Sequence, residues 1–179
     1  MSLVVGTNCG FVTSAPVDDP EGATLQINEN IYFAEFDTSP INAAKISEVG
    51  WYCDTDQSEA NFEVGLYEDD AGNPGTLLEV SRTNVKTTGT GWKTVSVDWA
   101  ISPNTKYWIA VQCDYVDGIV YTNTGVNIVG AKRAISNNGK SSLDDEFDLD
   151  ANGDTWALSF YAVWEEAPAT GGQDGPYVY

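Results

Sequence analysis

Oxygen ligands stand at alternating positions in Asp148-Leu149-Asp150-Ala151-Asn152-Gly153-Asp154, as in the first half of a calcium loop. Asp148, Asp150, Asn152 and Asp154 are therefore the candidate Ca²⁺ ligands, with Asp144, Asp145 and Glu146 just upstream as further donors. The second half of such a loop is missing. Its twelfth position falls on Ser159, where a bidentate Glu is needed, and an apolar run with strand character opens at Trp156. The competing reading is a solvated acidic turn. Carboxylate pairs recur at Asp54/Asp56, Asp69/Asp70 and Glu165/Glu166. Glycoside hydrolysis would need one member of a pair held protonated in a pocket, and these sit on Gly/Pro-rich turns or near the chain end, where water keeps both ionised. No catalytic residue is assigned, and the chain reads as a non-enzyme.

The cysteines are three, Cys9, Cys53 and Cys113, at spacings that fit no metal site. Cys53 and Cys113 each end an apolar run, in phase with Val49 and Trp51 in one and Ile109 and Val111 in the other. Buried free thiols are the expectation. A Cys53–Cys113 disulfide stays open, because it requires the two strand ends to face each other. Cys9 lies in a polar, Gly-flanked stretch and is expected to be exposed. The chain has no histidine, which removes Ser-His-Asp and Cys-His catalysis, histidine zinc sites and imidazole switches.

Charge narrows the partners. The 179 residues hold 27 acids against 8 Lys plus Arg, a net charge of −19. It is distributed as −6 over residues 1–44, −4 over 45–140 and −9 over 141–179. Such a surface repels phosphate backbones and anionic membranes, so neither nucleic acid nor membrane is an expected partner. No stretch approaches the 18 apolar residues of a membrane span. Met1-Ser2-Leu3-Val4-Val5-Gly6 lacks the basic start of a signal peptide. Neighbouring copies would have to screen or bridge the acids, with salt or divalent cations as first candidates and Lys132, Arg133 and Lys140 as second.

The elements that must position these groups are short strands. Apolar residues alternate with period two almost throughout, as in Phe62, Val64 and Leu66 against Glu63 and Gly65. Further runs lie at 31–36, 44–53, 77–83, 92–99, 106–113, 118–122, 130–135 and 156–164. Turn signals separate them at 68–75, 87–91, 102–104 and 137–139. This predicts an all-β antiparallel β-sandwich of jelly-roll type. The expected division is an N-terminal arm at 1–28, the sandwich at 29–164 and a flexible C-terminal arm at 165–179. The last arm ends in Tyr177-Val178-Tyr179, an apolar tip without a local core, which makes these three the candidate assembly residues.

The run Val64-Gly65-Leu66-Tyr67-Glu68-Asp69-Asp70-Ala71-Gly72-Asn73-Pro74-Gly75-Thr76-Leu77-Leu78, followed by Gly91-Trp92-Lys93-Thr94-Val95 and Tyr107-Trp108-Ile109-Ala110-Val111-Gln112, resembles the strand–turn–strand core of jelly-roll modules. Such modules occur in tailed-phage virion or fibre proteins and in secreted bacterial proteins. The resemblance covers about residues 45–113. The opening Val4–Val12 stretch and the Gly-rich aromatic end bring it nearer the phage type. It implies an adhesive, decorative or carbohydrate-contacting module; with the two arms and the missing export signal, the expectation is a virion component (decoration, fibre or capsid-associated), made in a host cytoplasm without a signal peptide, that forms a homo-oligomer or joins other virion proteins. The alternative it implies is an extracellular carbohydrate-binding module, assisted by Ca²⁺, with glycans as partners.

Overall fold

The computed structural model describes residues 2–28, 30–56, 60–114, 120–137, 139 and 142–168. Among them the chain is all-β, with thirteen strands in three sheets. A four-stranded sheet has the order β1 (Gly10–Val12), β13 (Phe160–Glu166), β4 (Ala43–Cys53), β7 (Gly91–Ala100). A six-stranded sheet runs β11 (Ala151–Asp154), β10 (Lys132–Ser136), β3 (Tyr32–Thr38), β8 (Lys106–Cys113), β5 (Asn61–Asp70), β6 (Asn73–Val85). The third sheet is β12 (Trp156–Leu158), β9 (Val120–Val126), β2 (Ala23–Ile27). Every ladder is antiparallel except β1 on β13.

Period-two alternation builds the core. Phe62, Val64 and Leu66 of β5 and Ile109 and Val111 of β8 face Val49 and Trp51 of β4 and Phe160 and Ala162 of β13. None of these nine is more than 1% exposed. Stacking two half-apolar sheets in this way is the stable solution for such a pattern. The turn between β5 and β6 is tighter than its eight-residue Gly/Pro-rich signal suggests. Asp70 pairs with Asn73 across Ala71 and Gly72 alone, and both turn residues have positive φ (53° and 90°), the geometry that favours a twisted hairpin. Pro74 then sits inside β6, which is tolerated because β6 is an edge strand.

Each outer face of the sandwich is covered over part of its area. On the six-stranded sheet, Tyr32, Tyr67, Trp108, Ala110 and Ala134 point outward and form a second core with Leu143 and Phe147. Phe147 meets Tyr32 and Tyr67 edge-on, with ring centroids 5.0 and 5.3 Å apart. Trp108, out of phase with Tyr107, Ile109 and Val111 of the inner core, finds its packing here. Residues 142–150 thus form a strap, pinned by Leu77 N–H to Asp145 C=O (2.8 Å) and Phe147 N–H to Gly75 C=O (3.0 Å).

On the four-stranded sheet Tyr52, Trp92 and Tyr161 form an edge-to-face ladder with 5.3 Å spacings. Gly50 makes room for it, since a Cβ there would lie 2.6 Å from the Tyr161 ring. Residues around Asp18 cross this face, where Asp18 C=O accepts Trp92 Nε1–H at 2.9 Å.

The expected N-terminal arm at 1–28 is corrected by this arrangement. Gly10–Val12 pairs with β13, Ala23–Ile27 pairs with β9, and Leu3, Cys9, Phe11, Val12 and Ile27 are buried. Its apolar runs are too short to stand out from the surrounding polar residues, yet each completes a sheet. The single strand expected over 156–164 is likewise divided. It breaks at Ser159 into β12 and β13, which belong to different sheets. At the other end β13 continues through Glu166, so the first two residues of the expected C-terminal arm belong to the sandwich.

Candidate functional site

The strap carries the first of the candidate calcium ligands. Asp148 and Asp150 have exposed side chains. Asp150 Oδ2 accepts the Asn137 N–H at 2.6 Å, which ties the strap to the end of β10. Asn152 and Asp154 lie in β11, registered against Ala134 and Lys132; their side chains fall outside what is described. Gly153, between them, lies in the same strand. Among the described residues no three of His, Cys, Asp and Glu gather into a metal-binding group. Asp144 is drawn toward the second core, its backbone C=O accepting Tyr67 O–H (2.7 Å) and its Oδ2 accepting Tyr32 O–H (3.3 Å). Tyr177, Val178 and Tyr179 lie outside the described residues.

The carboxylate pairs separate in use. Asp69 accepts Trp108 Nε1–H through Oδ1 (3.0 Å) and Gly72 N–H through Oδ2 (3.2 Å). Glu165 forms an exposed ion pair with Lys45, at 3.4 Å. The three cysteines are free thiols and all buried, Cys9 included. Cys9 was expected to be exposed; it packs with Leu3, Ala131 and Ala157, and burial pushes its thiol far up, with Glu35 adding to the shift. Burial also raises Cys53, against the opposing pull of Lys86 and Lys93. Lys132 and Arg133, candidate bridges to a neighbour, are occupied within the chain. Lys132 Nζ donates to Gly72 C=O at 2.5 Å, and the Arg133 guanidinium stacks on Trp156, 3.7 Å from the ring centroid.

Glu35 went unnoticed in the sequence, although it interrupts the apolar run Tyr32-Phe33-Ala34-Glu35-Phe36. It is wholly buried on the inner face of β3. Its Oε2 accepts Leu158 N–H at 2.8 Å, while Oε1 makes no hydrogen bond. Burial holds its carboxyl well above the usual range, opposed by the Leu158 amide and reinforced by Asp37. Arg133 stands directly opposite on β10, its Nε and Nη1 buried and without hydrogen bonds. No ion pair joins the two. Phe11 N–H donates to Asp37 Oδ2 at 2.7 Å, so this acidic corner also anchors β1.

Two grooves open at opposite ends of the sandwich. The first, about 410 Å³, lies where the chain leaves β13 and is lined by Ile41, Ala43, Ile101, Pro103 and Ala167, with Glu166 at its rim. Ile41 is 70% exposed there. The second, about 470 Å³, opens between the edge of β2 and the ends of β3 and β10. Leu25, Ile31, Phe33 and Ile135 supply its apolar surface, and Gln26 and Tyr121 are among its polar groups. Among the described residues no Asp, Glu, Lys or Arg lines it, in a chain that is 20% charged. An apolar hollow with a few placed polar groups is the usual form of a binding site. Neither groove is legible in the sequence, because each draws on strands far apart in the chain. No family model, curated protein or solved structure matches the chain.

Proposed function

We propose that the chain is a non-enzymatic structural protein, a jelly-roll module of a phage or virus virion that oligomerises through its C-terminal residues. The observation that carries this reading is the exposed apolar groove at the root of those residues. Ile41 and Pro103 present apolar surface beside Glu166 and Ala167, and association is the ordinary way to cover such surface. The chain then ends in Tyr177-Val178-Tyr179, aromatic residues of the kind enriched at subunit contacts. Light scattering of the purified chain at several salt concentrations tests the reading. A mass above the 19.3 kDa of one chain is expected, and a strict monomer throughout overturns it.

A second reading, a carbohydrate-binding module assisted by Ca²⁺, draws on the apolar groove beside β2. Tyr121, Gln26 and aliphatic neighbours offer the mixture of apolar face and hydrogen-bonding groups that a sugar ring uses. Calorimetric titration with calcium chloride checks its metal. Heat that disappears in the Asp148→Ala/Asp150→Ala variant is the expected outcome under that reading. An unmutated chain that gives no heat removes calcium from it.

A further inference from the structure

We infer that the groove beside β2 receives the C-terminal residues of a second copy, which add to the open edge of β2 as an extra strand. This rests on the assembly reading above and names its contact. Among the described residues β2 is the terminal strand of its sheet, paired only with β9, so one edge of its backbone has hydrogen-bonding groups to offer. Thr24 and Gln26 are exposed along it, while Leu25 turns toward the core. Beside that edge lies the apolar hollow floored by Phe33, Ile31 and Ile135. An incoming strand would therefore find backbone partners on one side and an apolar trough beneath.

The occupant follows from what the chain has left over. Eleven residues, 169–179, lie beyond the described part, and the last four, Pro176-Tyr177-Val178-Tyr179, carry no charged side chain. In an extended strand Tyr177 and Tyr179 fall on one face, spaced to enter the trough together. A glycan would use the trough but leave the strand edge idle.

Position argues for a second copy. Ile31 and Phe33, at the start of β3, line this groove, whereas Ile41, just past the end of β3, lines the groove where the C-terminal residues depart. β3 has seven residues, roughly 23 Å of strand. The two sites also lie on different sheets, about 10 Å apart across the sandwich. Tyr177 is nine residues beyond Pro168 and reaches at most about 30 Å, so docking onto its own chain would require almost full extension around the molecule. Entry into the opposite end of a neighbour requires no such path. The contact is heterologous, head to tail, and generates rings or filaments.

Disulfide trapping in the full chain tests this. A Gln26→Cys chain is mixed with a Val178→Cys chain under mild oxidation; the three native thiols are buried. A covalent two-chain product is expected, with none from Ser96→Cys on the distant β7 edge mixed with the same partner. The Tyr177→Ser/Tyr179→Ser chain, checked for an unchanged circular dichroism spectrum, should fall to the mass of one chain. Oligomers that persist in that variant without the 26–178 product overturn the inference and leave the assembly reading standing. A one-chain product from the Gln26→Cys/Val178→Cys double variant places the segment on its own chain and also overturns it. A wild-type chain that is monomeric from the outset defeats the assembly reading itself.

Discussion

A wholly buried carboxyl with one bonded oxygen and one idle oxygen is a liability whose size depends on pH. Glu35 is held well above its ordinary value of 4.5 by burial, with Asp37 adding to the shift. Its folded form therefore binds a proton that the unfolded chain has already released. The contribution of Glu35 to stability is fully present below about pH 4.5 and is lost as pH rises toward its folded pKa. Glu35→Gln keeps the oxygen that accepts Leu158 N–H and removes the charge. The variant should match the parent near pH 4. At pH 8 it should be more stable by about 1–2 kcal/mol, the scale of one relieved buried polar group. Denaturant unfolding at both pH values checks this; a variant destabilised equally at both would mean that the carboxyl earns its place through packing alone. Arg133, opposite in register but stacked on Trp156, does not neutralise this group, and the ion pair that register would suggest does not form.

At the scale of elements, the straps decide how the sandwich is finished. Residues 142–150 look from composition like a solvated acidic turn. Their apolar positions, Leu143, Phe147 and Leu149, face the sheet, while Asp145, Glu146 and Asp148 face water. Phe147→Ala would empty the space between Tyr32 and Tyr67 and should destabilise the fold by about 3 kcal/mol, as buried Phe truncations do. Chemical denaturation measures that loss, and a change under about 1 kcal/mol would show a strap that lies on the sheet without anchoring it. The same segment shows what a linear reading can recover. Strands such as 62–66 and 106–113 are legible because one face is apolar over several residues. The straps and β1 are not, because a three-residue strand or an isolated Phe has no period to detect. Their role appears only once Tyr32, Tyr67 and Trp108 are seen to share an outer face. The candidate metal ligands were legible as a pattern of oxygens, but the strand pairing of 151–154 that shapes their backbone comes from β10, fifteen or more residues upstream.

For the whole molecule, the net charge of −19 sets the terms on which copies can meet. The long free edges already resist indiscriminate pairing. Lys93 on the β7 edge points inward and is 9% exposed, and Pro74 interrupts the β6 edge, both recognised guards against edge-to-edge association. The short β2 edge, beside the apolar groove, carries neither a Lys nor a Pro. Approach of a second copy brings together surfaces of the same sign, and Lys132 and Arg133 are engaged within their own chain. Association should therefore strengthen as salt is added. Raising sodium chloride from about 20 mM to about 500 mM shortens the screening length from roughly 20 Å to about 4 Å, and the apparent dissociation constant should fall at least about tenfold. Sedimentation velocity across that range reads the change directly. Weakening with salt would instead mean that attraction between opposite charges drives the contact. It would move the interface away from the apolar groove and toward whichever bases the acids could reach.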